Sequence, residues 1–220
     1  MLVEICVDSL TSAKAAAQGG ANRIELCSAL KLGGLTPTTG ILRAVKSANV
    51  AVDVFCMIRC RGGDFVYGND EMETMFADIS ILKANGADGF VFGALNSEGR
   101  LDEVKCRRVV EACYPLPVTL HRAFDHSSDW REAVDSAVCV QEYMLDDSGS
   151  GVTVESLPVI KNAIPMLSAV HSSASIKKKS QCLHRPLFAM GSDDSFDSEK
   201  ETSAEIVSQI VAIAHGNDPS

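Results

Sequence analysis

The chain has 220 residues, enough for one large α/β domain or two small ones. With 46% hydrophobic and 22% charged residues it has the make-up of a globular protein. A net charge of −9 argues against nucleic acid and anionic membrane surfaces as partners, and no apolar run reaches the ~18 residues of a membrane span.

Strand and helix signals alternate strictly from the first residues. A strand over 2–8 precedes an Ala-rich helix over 10–18 that stops at Gly19-Gly20. A strand over 23–28 runs into Gly33-Gly34, and a helix over 38–48 follows, with Ile41, Leu42 and Val45 on one face. The strand over 50–59 ends in Arg61-Gly62-Gly63-Asp64. The helix over 70–84 carries Met72, Met75, Phe76, Ile79 and Leu82 at helical spacing, which reads as core rather than a metal-binding methionine stripe. Gly86 ends it. A strand over 89–95, a helix over 101–113, a strand over 116–122 that runs out through His121 to Asp125, and a helix over 129–138 follow. A weak strand over 141–146, a helix over 153–163 and a strand over 166–172 complete the alternation. Beyond residue 176 come Lys177-Lys178-Lys179, read as a solvated turn, an Asp/Ser/Glu-rich stretch over 192–201 and an amphipathic helix over 203–214.

Repeated strand–helix units build a parallel sheet. Polar strand ends and the lack of a GxGxxG after any strand favour a TIM-type parallel β/α barrel over a doubly wound sheet. The barrel is expected over 1–176, with 177–220 as a C-terminal extension. A full barrel has eight strands in ~250 residues; only about seven are found. Between the strands near 143 and 169 there is room for a single helix, so the barrel is expected to be incomplete there. That would leave strand edges open and invite self-association, with Ile206, Ile210 and Ile213 of the last helix available to cover the gap.

Side chains alternate faces along a strand. Glu4 and Cys6 therefore share one face, as do Glu25 and Cys27, while Val3, Ile5, Ile24 and Leu26 point the other way. Acids and thiols inside, with aliphatics under the helices, describe a lumen that carries chemistry. On later strands Met57, Arg59 and Arg61 share a face. So do Thr119, His121 and Asp125 if that strand stays extended, and Ala169, His171 and Ser173. Arg59 is the expected partner of Glu4 or Glu25, since buried charges need neutralising. Two inward thiols on strands ~4.8 Å apart are candidate ligands for one soft ion such as Cu(I); small buried thiols that merely fill space are the alternative. A second chemistry is acid–base catalysis on a small anionic substrate. Glu25 or His121 would act as general acid/base, Asp125 is a further candidate, and Arg59 would hold a phosphate or carboxylate, with Arg61, Gly62 and Gly63 as a candidate anion loop; a chain that has lost both roles is the remaining alternative. Tight turns needing glycine explain that loop equally well. No signal-peptide pattern is seen ahead of the first strand. A cytosolic setting is expected, in which the eight cysteines stay reduced, and no CxxC pair marks a zinc site.

Four stretches carry a family resemblance: 21–27 (Ala-Asn-Arg-Ile-Glu-Leu-Cys), 33–37 (Gly-Gly-Leu-Thr-Pro), 58–65 (Ile-Arg-Cys-Arg-Gly-Gly-Asp-Phe) and 118–125 (Val-Thr-Leu-His-Arg-Ala-Phe-Asp). They closely resemble the CutC family of copper homeostasis proteins, with weaker echoes at 170–174 and 189–191. The resemblance implies a TIM-like barrel in the cytosol, with the nucleus as a second compartment, usually a homo-oligomer, and associated with Cu(I). It places Cys6 and Cys27 where vertebrate-type members carry paired thiols. The chain departs from the family pattern at Cys60, which stands in place of proline, and at Ser175, which stands in place of arginine. It departs again at Tyr143-Met144-Leu145-Asp146-Asp147, and the family's seventh strand with its glycine-rich segment is missing.

Overall fold

A computed structural model describes residues 1–139, 143–145, 152–164, 166–179 and 198–217. The ends of the strand expected over 141–146, together with Cys182, the 189–191 echo and residues 192–197, lie outside them. The first strand, β1 (Leu2–Val7), leads to α1 (Leu10–Gln18), whose first turn is capped by the Ser9 hydroxyl accepting from the Ser12 amide at 3.1 Å. Then follow β2 (Arg23–Leu26), α2 (Thr39–Ser47), β3 (Asp53–Met57), α3 (Asn69–Ala84), β4 (Gly89–Phe92), α4 (Glu103–Cys113), β5 (Val118–Leu120), α5 (Trp130–Cys139), β6 (Tyr143–Leu145), α6 (Leu157–Ala163) and β7 (Ala169–Ser172). Thr38 and Asp102 cap α2 and α4 in the same way as Ser9 caps α1.

The seven strands form one parallel sheet in the order β6-β5-β4-β3-β2-β1-β7. Each strand pairs with its sequence neighbour, and β7 returns to pair with β1, so the sheet curls as a barrel does. Among the described residues β6 and β7 are its two edges, where the sequence placed the missing unit. The expected alternation holds in detail. Val3, Ile5, Ile24, Leu26, Val54 and Phe90 are fully buried under the helices, and Met72, Met75, Ile79 and Leu82 of α3 pack into the same core. A second, smaller cluster of Cys27, Phe55, Met57 and Val91 fills the lumen.

Beyond β7 the chain differs from its sequence reading. Lys177–Lys179 are no turn. They lie in β8 (Ser175–Lys179), which pairs antiparallel with β9 (Ser198–Thr202) as a separate two-stranded sheet, with Lys178 bridging Glu201 at 2.6 Å. Of the lysine run, Lys178 stands opposite Glu199 and Lys177 opposite Lys200, a pairing that no local turn signal revealed. The hairpin is tied to α1 by the Thr202 amide donating to the Ser12 hydroxyl at 3.1 Å. It feeds α7 (Ala204–Ala214), whose Val207, Ile210 and Ile213 are buried against α1, β1 and α6. Contact is close enough that a Cβ on Gly19 would lie 2.5 Å from the Val207 Cβ. The apolar stripe of α7 is therefore spent beside β1, the usual place of a barrel's last helix, and not on the β6–β7 opening.

An open edge frays before a paired interior. Deuterium exchange is expected to be slowest in β1–β4 and markedly faster in β6 and β7. Equal protection across all seven strands would show that the sheet closes on itself.

Candidate functional site

Register brings the lumen cluster together. On β1, β2 and β7, Glu4 stands opposite both Arg23 and His171, one rung across three strands; Cys6 stands opposite Glu25 on the rung above. Glu4 is fully buried. The Arg23 Nε donates to its Oε2, and His171 Nδ1 donates to its Oε1 at 2.7 Å. The far side of the imidazole, Nε2, lies 3.6 Å from Glu25 Oε2. One ligand atom each of Cys6, Glu25 and His171 fall within 4.8 Å of one another. The Cys27 thiol lies next to Glu25 and draws its carboxyl pKa down, and a chain of ionisable groups runs Arg23–Glu4–His171–Glu25.

Burial pushes the Glu25 carboxyl up to about 7, with His171 pulling it down and Glu4 pushing it further up. For His171 burial acts downward, yet Glu25, the Cys6 thiol and Glu4 together hold the imidazole well above its ordinary value. The Cys27 thiol is pushed well up by burial and by the neighbouring acids, Glu25 first.

The partner of the buried acid is Arg23, not Arg59. Arg23 is 3% exposed, with its guanidinium 4.4 Å from the Phe55 ring centroid. Its signal was the period itself, since the alternation that turns Glu25 inward turns Arg23 inward too. Arg59 leaves the strand before it can reach the lumen acids. It is 4% exposed and donates to the carbonyls of Leu32 (2.9 Å), Gly34 (3.2 Å) and Gly63 (2.7 Å), lying over Phe65. Arg61 turns away again, to Glu71, to Asp64 at 3.0 Å and to the Val66 carbonyl at 2.9 Å, so it fastens the loop to α3. Of the candidate anion loop, Gly63 lines a cavity while Arg61 and Gly62 do not.

His121 is buried past the end of β5, with its ring 5.0 Å from that of Phe65. A Cβ on Gly93 would lie 2.7 Å from its Nδ1, so only glycine leaves room for the imidazole. Asp125 does not join it. Residues Phe124–His126 form a 3-10 turn in place of extended chain, and Asp125 is exposed. The candidate residues thus divide: Cys6 and Glu25 meet in the lumen with His171, Cys27 is buried beside them in the apolar cluster with Phe55, Met57 and Val91, Arg59 and His121 lie toward the mouth, and Asp125 stands apart.

The mouth itself is a cavity of 590 Å³ at the C-terminal ends of β2–β5, lined among others by Lys31, Arg59, Asp64, Arg122 and His126. The loop between it and the lumen is built from left-handed residues: Ala29 (φ 50°), Gly33 (φ 86°) and Gly34 (φ 85°). A Cβ on Gly34 would lie 3.1 Å from the Cys27 sulfur.

A curled parallel β/α sheet with polar chemistry in its lumen and at its C-terminal mouth defines a TIM-barrel-like protein. The CutC family model matches residues 1–167, and the chain belongs to the CutC family. It is 48% identical to the copper homeostasis protein cutC homolog of Homo sapiens over 74% of this chain and 60% of that protein, so it spans about three-fifths of that relative's length. It is 38% identical to the Caenorhabditis elegans homolog of the same name, over 96% of this chain and 94% of that protein. A solved CutC structure from Streptococcus agalactiae superposes with a TM-score of 0.71 at 26% identity, covering 79% of this chain and 98% of that one. No described helix is long and apolar enough to cross a membrane.

Proposed function

We propose that this chain is a copper homeostasis protein that takes Cu(I) in the lumen of its barrel, with Cys6 and Cys27 as thiolate ligands and His171 beside them. The observation that supports this reading is the convergence of Cys6, Glu25 and His171 donor atoms within 4.8 Å of one another, with the buried Cys27 thiol next to the same Glu25. Thiolate and imidazole are the donors a soft ion selects. Metal binding releases thiol protons, and Glu25 is the adjacent acceptor for that of Cys27. Cys6 is half-buried where Cys27 is 1% exposed, so the ion meets Cys6 first. In this reading the protein works in the reducing cytosol, with the nucleus as a second compartment, and as a homo-oligomer.

Anaerobic titration with Cu(I) against a chromophoric chelator tests it. Wild type is expected to hold one ion that Cys6→Ser/Cys27→Ser does not hold, and His171→Ala is expected to weaken that ion's binding. Equal stoichiometry in wild type and the double variant would refute the site. A preference for Zn²⁺ over Cu(I) would refute the choice of ion.

A further inference from the structure

The cavity at the barrel mouth is positively lined in a protein of net charge −9. We propose that it is a binding site for a small oxyanion ligand, a phosphorylated or polycarboxylated metabolite, whose anionic group is held between the guanidinium groups of Arg59 and Arg122. Gly33 carries the geometry. A Cβ built there would lie 3.0 Å from Arg122 Nη1 and 3.3 Å from Arg59 Nη1, so two guanidinium tips converge on one glycine of φ 86°. Neither arginine forms an ion pair among the described residues; Arg59 donates to the carbonyls of Leu32, Gly34 and Gly63 and lies over Phe65, and its buried Nε has no hydrogen-bond partner there. Arg59 is 4% exposed and so carries a buried charge that an anion would neutralise, while Arg122 reaches the same point from the solvent side.

The other charged groups at the wall fit the same ligand. Lys31 and His126 line the cavity from the loops after β2 and β5. The single lining carboxylate, Asp64, is bridged by Arg61 at 3.0 Å. That bridge, more than the distance to Arg59, holds the Asp64 carboxyl below its usual range. A volume of 590 Å³ falls in the range of small-molecule sites, about 300–1,000 Å³. The planar guanidinium fork matches phosphate and carboxylate alike. The place also fits, because barrel ligands bind at the C-terminal ends of the strands. This site is separate from the lumen thiols, with the Gly33-Gly34 turn between them.

Isothermal titration at low salt tests it, with glycerol 3-phosphate and malonate as the two probes. At least one is expected to bind with a Kd below about 1 mM, to lose at least tenfold in Arg122→Ala, and to lose part of that in Arg122→Lys, where the charge stays and the fork goes. Arg43→Ala, which removes an exposed charge on α2, is expected to bind as wild type does. Tighter phosphate binding identifies a phosphate ester as the ligand class, and tighter malonate binding a polycarboxylate. Absence of binding by both probes at 10 mM would overturn the site, and so would equal losses in Arg122→Ala and Arg43→Ala.

Discussion

Replacing Arg23 with methionine is expected to destabilise the protein by about 3–5 kcal/mol, the range for breaking a buried ion pair from one side. Glu4 is fully buried and Arg23 is 3% exposed, and the two stand opposite each other on adjacent strands. Methionine fills much of the volume over Phe55, so the loss is chiefly electrostatic. A domain's whole stability is about 5–15 kcal/mol, and a single change in the lumen thus consumes a large part of it. His171 also stands beside Glu4, 2.7 Å away and itself facing Glu25. One imidazolium cannot serve two carboxylates as well as an imidazolium and a guanidinium together. The double variant Glu4→Gln/Arg23→Met removes the orphaned charge and is expected to recover at least half of the loss. Urea unfolding at pH 7 measures both. A loss under about 1 kcal/mol in the single variant would show that His171 alone neutralises Glu4.

The elements that sequence period could read are those whose two faces differ in chemistry. Val3, Ile5, Ile24 and Leu26 lie under helices, and Glu4, Cys6, Glu25 and Cys27 face the lumen, because a strand's alternation allows no other arrangement once one side is apolar. The gap was legible as a length: one helix, α6, connects the two strands that end the sheet. Period gives the face but not the partner across it. Arg59 was read as the partner of Glu4 or Glu25 and Arg23 was passed over; register sets Glu4 against Arg23, while Arg59 lies beyond the end of β3. Asp125 was misplaced for a related reason. Alternation was carried past the end of the strand, where the chain coils into a 3-10 turn. Lys177–Lys179 were read locally as a turn, although their pairing partners lie about twenty residues further on. Arg122 was seen only as part of a motif, since nothing local marks a side chain that meets Arg59 across a glycine of another loop.

His121 supplies a pH response that separates it from the lumen cluster. Burial first, then the charges of Arg59 and Arg122, push its imidazole down to about 3. Its Nδ1 accepts from the Ala123 amide at 3.2 Å, so the folded protein holds it neutral. The unfolded chain binds a proton at about 6.5. Between these values the unfolded state carries more protons, so stability from this residue is complete above pH 6.5 and is lost as pH falls toward 3. Glu25 acts in the opposite direction. Its folded value of about 7 lies above the 4.5 of a free carboxyl, so its contribution is present below pH 4.5 and is lost as pH rises through 7. His171, held above its ordinary value, adds to that falling limb. The total curve therefore mixes two opposed slopes, and only a difference curve isolates His121. Asparagine at 121 retains an acceptor near Nδ1 and does not titrate. The stability of wild type relative to His121→Asn is expected to rise by about 3 kcal/mol between pH 4 and pH 7, since each pKa unit is worth about 1.4 kcal/mol. Urea midpoints at half-unit intervals give that curve. A flat difference would mean that His121 takes up its proton in the folded protein as readily as in the unfolded chain, and that the mouth of the barrel is wet enough to solvate it.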